Sequence, residues 1–237
     1  MSAPHFFARA VAGDEVVIGG EDARHAARVL RIRPGEEITV ADGAGSFVRA
    51  RTVDVGPGAV RAEVLERRTV PRPHPRVTVF PAVCKHGKLE FVVQKLTELG
   101  VDRIAPWFAA RSIVRWDPDK RRAHGDRLRA VAWEASKQSR RVWLPEIVDP
   151  AELPALPAVA VVLDEESSDR LGALLPVGEP DEIGVIIGPE GGLDREEVGT
   201  FRGLGALVAG LGPSILRTET AAIIGPALVL ARYGRLG

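Results

Sequence analysis

A short glycine-rich segment near the C-terminal end of the chain carries residue types suited to ligand binding. It reads GPEGG over residues 188–192 and directly follows the apolar run 183–187. Glycine permits positive φ and close approach of a ligand to the backbone, while proline stiffens a turn. A plain strand-to-helix turn is the alternative, but three glycines and a carboxylate exceed what such a turn needs. The segment therefore predicts a ligand site at the end of a strand.

A second segment, residues 211–221, reads LGPSILRTETA and also joins a predicted strand to a predicted helix. Loops that follow the strands of a parallel sheet can converge on one pocket. Thr218 is expected to cap the helix that begins there. Arg217 and Glu219 have no evident task in a helix cap, so this charged pair is predicted to take part in chemistry.

A third polar group consists of Glu134, Gln138 and Arg141, whose spacing places them on one face of a helix or its last turn. From spacing alone, a solvated polar stripe is the better interpretation.

The signatures of several common enzyme classes are missing from the sequence. It contains no GxxxxGK[ST] loop, no HExxH, no GxSxG, and no GxGxxG after the first strand of the α/β region. The five histidines lack metal-ligand spacing, and the single cysteine, Cys84, excludes an intrachain disulfide and a cysteine-cluster zinc site. No metal is expected, and a kinase, a dehydrogenase, a metalloprotease and a serine hydrolase are disfavoured.

From residue 77 onward, strands and helices alternate in the pattern of an α/β domain with a mostly parallel sheet. Near-continuous apolar strands indicate that both faces of this sheet are covered. The predicted strands are Val77–Val83, Ile104–Ala109, Val159–Leu163, Ile183–Ile187 and Ala206–Leu211. The predicted helices are Lys88–Leu99, Asp117 to about Ser139, Asp194 to about Arg202 and Thr218–Tyr233.

Residues 1–70 read as short strands with turn residues between them, and predict a small barrel. The predicted strands are His5–Ala10, Glu15–Ile18, Glu37–Ala41, Phe47–Val53 and Val60–Leu65, with one helix near Glu21–Leu30. A proline-rich stretch, residues 71–76, is the predicted linker to the second domain, residues 77–237.

The net charge of zero hides an asymmetry along the chain. Residues 1–149 carry an excess of seven positive charges, and residues 150–237 an excess of seven negative ones. A basic bias over so long a stretch favours a polyanionic partner, although each local cluster alone is consistent with a solvated face. No apolar run approaches the ~20 residues of a membrane span, so a cytoplasmic protein without membrane contact is expected.

The two C-terminal segments together resemble the paired signature of the RsmE family within the SPOUT methyltransferases. Three further stretches are similar to elements of that family. They are Lys88 with the QKLTELGV run at 94–101, the QSRR run at 138–141 with PEI at 145–147, and His25 with the VLRIRPGE run at 29–36. One departure is Gly225–Pro226 in the predicted last helix, which could kink that helix.

The resemblance implies a PUA-like β-barrel followed by a SPOUT domain whose C-terminal part forms a trefoil knot. It implies a homodimer that uses S-adenosyl-L-methionine to methylate N3 of one uridine in bacterial 16S ribosomal RNA, free or in the small ribosomal subunit. The matching cofactor-binding positions are Leu163, Gly188, Pro189, Glu190, Gly191, Leu211, Gly212, Ser214, Ile215 and Leu216.

Residue roles toward the RNA are further expectations. Loss of the N3 proton requires a base or a group that stabilises an anion, and Glu219 and Arg217 are the candidates. The expected RNA-binding residues are Arg31, Arg33, Lys88, Lys95, Gln138 and Arg141. Two alternatives remain at this point: a SPOUT enzyme that methylates a ribose 2′-hydroxyl or a tRNA base, and a non-catalytic ribosome-assembly factor that binds RNA.

Overall fold

Strand pairing divides the chain into two parts. In the computed structural model, which describes residues 3–8, 11, 13–85, 87–153 and 155–237, one compact unit comprises residues 1–72 with 136–144. The other comprises residues 73–135 with 145–237. Residues 136–144 join the first unit through Trp143, whose indole Nε1 donates to the carbonyl of Val70 at 3.0 Å. The sequence analysis placed this stretch in the second domain. The predicted domain limits, residue 70 for the end of the first domain and residue 77 for the start of the second, stay a prediction.

The first unit is built on a five-stranded, mostly antiparallel sheet. Its elements are β1 (His5–Phe7), β2 (Glu15–Gly19), α1 (Gly20–Arg28), β3 (Glu37–Ala41), β4 (Ser46–Val55) and β5 (Ala59–Thr69). The strand order is β1-β3-β4-β5-β2, and only the β1–β3 pair is parallel. Alternate residues such as Val16 and Ile18 point into a core that also contains Ile38 and Val40. Arg9 and Ala10, at the end of the predicted first strand, lie outside the described residues.

The second unit alternates strands and helices around a six-stranded parallel sheet. Its elements are β6 (Arg76–Pro81), α2 (Lys88–Leu99), β7 (Arg103–Ile104), α3 (Pro118–Gln138), β8 (Glu146–Ile147), β9 (Val159–Leu163), α4 (Leu171–Leu174), β10 (Glu182–Ile187), α5 (Arg195–Gly203), β11 (Leu207–Ala209) and α6 (Thr218–Arg232). The strand order is β11-β9-β10-β6-β7-β8. The predicted parallel α/β arrangement is therefore present, while the trefoil knot stays a prediction.

Each strand of this sheet buries both faces, as the continuous apolar runs predicted. Val161 of β9 and Val185 of β10 pack on one side with residues of α2, α3 and α6. Val162 and Ile186, one position further along, pack on the other side with Phe201 of α5. The two-residue period of a strand sends successive side chains to opposite faces, so helices cover both.

The structure corrects one predicted strand and adds two short elements. The strand expected at 104–109 ends at Ile104, because Pro106 has no N–H to continue the ladder, and Trp107 forms only isolated bridges. The two residues of β8 and the four of α4 were not predicted, since neither is long enough to show a period.

Helix ends agree with the sequence in two cases and differ in one. Asp194 forms a capping box with Glu197 at the start of α5, and the Asp117 carboxylate accepts from the Lys120 amide at 2.9 Å before α3. The prediction that Thr218 caps α6 was wrong, because Arg217 occupies the cap position and makes no side-chain cap bond. Within the described part of the chain, no helix has both the length and the apolar character to cross a membrane.

Candidate active site

The two glycine-rich segments meet at a cleft in the second unit. The cavity has a volume of about 400 Å³ and lies at the carboxyl ends of β9, β10 and β11. Ligands of open parallel sheets bind at this edge, because the loops that follow the strands converge there. The lining residues are Lys88, Leu163, Asp164, Glu165, Ile187, Gly188, Pro189, Glu190, Gly192, Leu193, Leu211, Gly212, Ser214, Ile215, Leu216, Arg217, Thr218, Glu219 and Ala221.

Part of the cleft is apolar, and backbone geometry shapes it. Leu163 and Ile187 end two neighbouring strands, and Leu211 and Leu216 belong to the segment that precedes α6. Gly212 in that segment has φ +138°, a conformation that side-chain-bearing residues rarely adopt. The result is an aliphatic surface beside exposed backbone, which suits a flat, partly apolar ligand such as a purine.

A lysine between two carboxylates forms the polar end of the cleft. Nζ of Lys88, the first residue of α2, lies 3.3 Å from Oε1 of Glu190 and 3.4 Å from Oε2 of Glu219. The hydrogen bond to Glu190 is the main reason that the pKa of Lys88 is raised. Burial opposes ionisation of Glu190, but its own backbone amide and Lys88 outweigh this effect, so the pKa of its carboxyl is lowered.

Glu219 differs from Glu190 in how its charge is satisfied. Its Oε2 is buried and has no hydrogen-bond partner among the described residues, although the ammonium of Lys88 is near. A buried carboxylate oxygen without a hydrogen bond is costly unless a ligand supplies a donor. Glu219 is therefore an acceptor in the cleft that is available to a bound molecule.

A second charged pair, Asp164 with Arg195, anchors the carboxyl end of β9 to α5. Asp164, which follows β9, is 2% exposed in its side chain and receives both terminal nitrogens of Arg195 at 2.9 and 3.0 Å. Burial opposes ionisation of this carboxyl, but the hydrogen bonds from Arg195 and the Glu166 amide prevail, so its pKa is lowered. The pair holds the loop after β9 against α5.

Nine of the ten predicted cofactor positions line the cleft, and Gly191 does not. The carbonyl of Gly191 instead accepts from Arg111 at 3.0 Å, while its neighbour Gly192 faces the cavity with φ +70°. Both predicted catalytic residues, Arg217 and Glu219, line the cleft as well. Their roles, like those of the cofactor positions, stay predictions.

Sequence reasoning missed Asp164 and Glu165 in this cleft. Both directly follow the buried strand β9. Since ligands bind at the ends of such strands, that position was the signal that could have found them.

The predicted RNA-binding residues divide between the two units. Lys88 lies in the cleft, and Lys95 pairs with Glu98 at 2.9 Å further along α2. The other four belong to the first unit: Arg31, Arg33 and Gln138 are exposed, and Arg141 is half-buried. Their role toward RNA stays a prediction.

Comparison with known proteins identifies the family. The profile of an RNA methyltransferase domain matches residues 71–230, and that of an RNA methyltransferase PUA domain matches residues 18–65. The ribosomal RNA small subunit methyltransferase E of Mycobacterium tuberculosis is 35% identical over 222 residues, which cover 90% of this chain and 84% of the relative. The enzyme of the same name from Bacillus subtilis is 33% identical, with 86% and 85% covered. The chain belongs to the ribosomal RNA small subunit methyltransferase E family.

Two solved structures resemble the chain over nearly its full length. The methyltransferase E of Neisseria gonorrhoeae bound to S-adenosyl methionine superposes with a TM-score of 0.85 at 25% identity, covering 98% of both chains. A putative methyltransferase from Legionella pneumophila, in complex with the same cofactor, gives 0.86 at 28% identity and the same coverage. The family resemblance and the predicted parallel α/β domain after a PUA-like domain are thus confirmed, the knot stays a prediction, and the chain is an RNA methyltransferase.

Proposed function

We propose that this member of the methyltransferase E family transfers a methyl group from S-adenosylmethionine to N3 of a uridine in small-subunit ribosomal RNA. The observation that carries the proposal is the cleft in which the two family motifs meet. It joins an aliphatic, glycine-rich surface to the carboxylate of Glu219, whose buried Oε2 lies 3.4 Å from the Lys88 ammonium and makes no hydrogen bond to a described residue. The names of the relatives and the cofactor bound in their structures support the substrate and the methyl donor.

The lining of the cleft fits this cofactor. S-adenosylmethionine combines a purine nucleoside with a positively charged sulfonium centre. Four carboxylates line the cleft, those of Asp164, Glu165, Glu190 and Glu219, against two cationic side chains. This excess of negative charge favours a cation, and the aliphatic surface around Leu163 and Leu216 suits the purine. The glycines at 188 and 212 leave backbone groups open for hydrogen bonds.

The side chains of the cleft divide the chemistry between them. The bound cofactor supplies an electrophilic methyl group, and uridine N3 must lose its proton to accept it. Glu219 accepts this proton as the general base, and the ammonium of Lys88, 3.4 Å from its Oε2, holds the carboxylate in place. Arg217, at the N-cap position of α6, stabilises the negative charge that develops on the pyrimidine ring.

We further propose that basic residues outside the cleft bind the RNA backbone, that the enzyme is a homodimer, and that it acts in the cytoplasm. The excess of positive charge in residues 1–149 supports the first point. The family resemblance supports the second, and an RNA substrate that belongs to the ribosome supports the third. Arg31, Arg33, Lys95, Gln138 and Arg141 are the proposed contacts.

One in vitro assay tests the reaction. The purified chain is incubated with isotopically labelled S-adenosylmethionine and either free 16S RNA or small ribosomal subunits, and the RNA is digested to nucleosides for mass spectrometry. Labelled 3-methyluridine is the expected product. The same assay with Glu219→Gln provides a control with the cleft intact.

The other products discriminate between the alternatives. A labelled 2′-O-methylnucleoside would assign the chain to a different SPOUT reaction. Binding of both ligands without any labelled nucleoside would indicate a non-catalytic assembly factor. Either result would overturn the proposed reaction and leave the fold assignment intact.

A further inference from the structure

A second cavity, of about 330 Å³, lies in the second unit and shares no lining residue with the cleft. It is bounded by the loop after β6, the first turn of α2 and the N-terminal half of α3. Its lining includes Cys84, Lys85, Leu89, Glu90, Trp116, His124 and Leu128. Neither the family motifs nor the proposed reaction uses this cavity.

One wall of this cavity is an aromatic pair. The rings of Trp116 and His124 are stacked with centroids 3.8 Å apart and planes inclined by 7°. Phe108 meets Trp116 edge-on at 5.6 Å and so restricts the indole ring. Both stacked rings are half-buried, so each retains surface toward solvent. A fixed, partly open aromatic pair is the kind of platform on which RNA-binding proteins stack single-stranded bases.

The remaining lining combines apolar side chains with one lysine, Lys85, and one carboxylate, that of Glu90, which Arg127 pairs at 3.0 Å. Leu89 and Leu128 provide an apolar floor, and both are buried in the core of the unit. Lys85 also lines the cavity. Its ammonium can pair with the phosphate of a nucleotide whose base occupies the cavity. The thiol of Cys84 has its pKa raised to about 12, chiefly by burial, so this residue presents a neutral surface to the cavity.

The cavity adjoins the catalytic end of the cleft. Gly87 and Leu89 line the cavity, whereas Lys88 between them lines the cleft and contacts Glu219. The first turn of α2 therefore separates the two spaces by the thickness of one backbone segment. An RNA strand that presents a uridine to Glu219 passes within reach of the cavity with a neighbouring base.

We propose that this second cavity binds a base of the substrate RNA, stacked against Trp116 and His124, and thereby positions the strand for methylation. The proposal rests on the proposed function, because it takes single-stranded ribosomal RNA as the substrate. Bases of such substrates must be unstacked before they reach an active site, and an aromatic pocket next to the site compensates for lost stacking.

The test compares two cavity variants with a matched control. Trp116→Leu and His124→Leu keep the cavity apolar but remove the stacking surface. Trp133→Leu alters a tryptophan of α3 that lines neither cavity. Methyl transfer to 16S RNA is measured at saturating S-adenosylmethionine, and cofactor affinity is measured separately by calorimetry. We expect the KM for RNA to rise by roughly 5- to 100-fold in both cavity variants, as for loss of one stacked base. Cofactor affinity should be unchanged, and the control should retain the wild-type KM.

Failure of this proposal can be told from failure of the proposed function. If the wild-type chain methylates RNA and both cavity variants keep its KM, the cavity has no role in RNA binding. If the wild-type chain does not methylate RNA at all, the proposed function itself fails. His124→Leu preserves the test if Trp116→Leu does not fold, because His124 is a half-exposed residue of α3.

Discussion

Gly225 of α6 makes room for Leu163 at the carboxyl end of β9. A Cβ atom at position 225 would lie 2.5 Å from Cδ1 of Leu163, far inside van der Waals contact. Leu163 lines the cleft, so this glycine sets how closely the last helix approaches the cofactor-binding edge of the sheet. The Gly225–Pro226 pair, which looked out of place in a helix, lies buried within the helical span Thr218–Arg232.

We expect Gly225→Ala to weaken S-adenosylmethionine binding about tenfold and to lower the free energy of unfolding by ~1–3 kcal/mol, as overpacking does. The added methyl group can be accommodated only if the Leu163 side chain rotates, and the cleft is the open space beside it. Calorimetric titration and urea denaturation measure the two effects.

Gly199→Ala is the matched control, because Gly199 lies within α5 and an added methyl group there would meet no described atom of a neighbouring segment within 4 Å. Alanine is the better helix former, so this variant should gain ~0.5–1 kcal/mol and bind cofactor normally. Normal binding by Gly225→Ala would mean that Leu163 moves away from the cleft instead.

Most elements of both units could be predicted from sequence, because hydrophobic period and turn residues are local signals. The strand β9 and the helix α2 have the predicted bounds, and β10 begins one residue earlier than predicted. Only the very short elements β8 and α4 were missed, since so short a stretch shows no period, while β1, β7 and β11 were predicted as longer strands than the structure has. The addition of residues 136–144 to the first unit was also missed, because it depends on the Trp143–Val70 hydrogen bond across 73 residues.

The site was predictable as a pair of loops but not as a set of contacts. The glycine-rich segments were recognisable because each combines unusual backbone freedom with a strand end. Lys88, however, reaches Glu219 across 131 positions of sequence, and only the packing of α2 beside α6 brings them together. Sequence spacing carries no information on such a contact, so Lys88 was predicted only to bind RNA.

Glu219→Gln should reduce the single-turnover rate of methyl transfer by at least about 100-fold, as expected for loss of a positioned base. Arg217→Ala should cause a loss of similar size if it stabilises the developing anion. Rapid-quench assays with saturating RNA and cofactor measure both rates.

The control for Glu219 is Glu196→Gln, which removes an exposed carboxylate from the equivalent first turn of α5. That change should cost only the ~0.3–1 kcal/mol of a charge at a helix N-terminus and leave the rate unaltered. A Glu219→Gln enzyme with near-normal transfer and a slightly lower Tm would reduce Glu219 to the same structural role.

The Asp164–Arg195 pair should make stability depend on pH in the acid range. The folded-state pKa of Asp164 is lowered, so its contribution is complete above the unfolded value near ~3.9 and is lost as pH falls through the folded value. Asp164→Asn should therefore destabilise the protein by ~1–3 kcal/mol at pH 7, as for a lost hydrogen bond at a buried group. The difference from the wild type should shrink below about pH 4.

Urea denaturation at pH 7, 5 and 3 measures this dependence, with Asp169→Asn as an exposed control that should change nothing. An Asp164→Asn deficit of constant size at all three values would show that the carboxylate charge is not what stabilises the loop.

Arg235 should be among the most important charged residues for stability. Its guanidinium lies 2.6 Å from the Asp102 carboxylate, and it also donates to the carbonyls of Pro75 and Gly100. The two side chains are 8% and 2% exposed, so removing one partner leaves a buried charge. Arg235→Met should cost ~3–5 kcal/mol, whereas Arg232→Met, at an exposed position of α6, should cost less than about 1 kcal/mol. Equal urea midpoints for the two variants would contradict this.

Arg31 and Arg33 differ from most arginines of the first unit in having free guanidinium groups. Both are exposed, and neither side chain forms a hydrogen bond or an ion pair with a described residue. Arg51 and Arg61, in contrast, pair with Glu37 at 3.3 Å and with Glu15 at 2.5 Å. Unpaired guanidinium groups are available to phosphates, and each phosphate contact releases condensed counterions when RNA binds.

The double variant Arg31→Ala/Arg33→Ala should therefore weaken RNA binding and reduce the slope of log affinity against log salt by about 0.7–0.9 per lost contact. Filter binding of 16S RNA between low and moderate salt measures the slope, and S-adenosylmethionine affinity should not change. Arg51→Ala/Arg61→Ala removes the same charge from paired positions and should flatten the slope less, because each of those arginines is already neutralised by a carboxylate. Equal slopes for the two double variants would show that RNA responds to the net charge of the unit, and that Arg31 and Arg33 make no specific phosphate contacts.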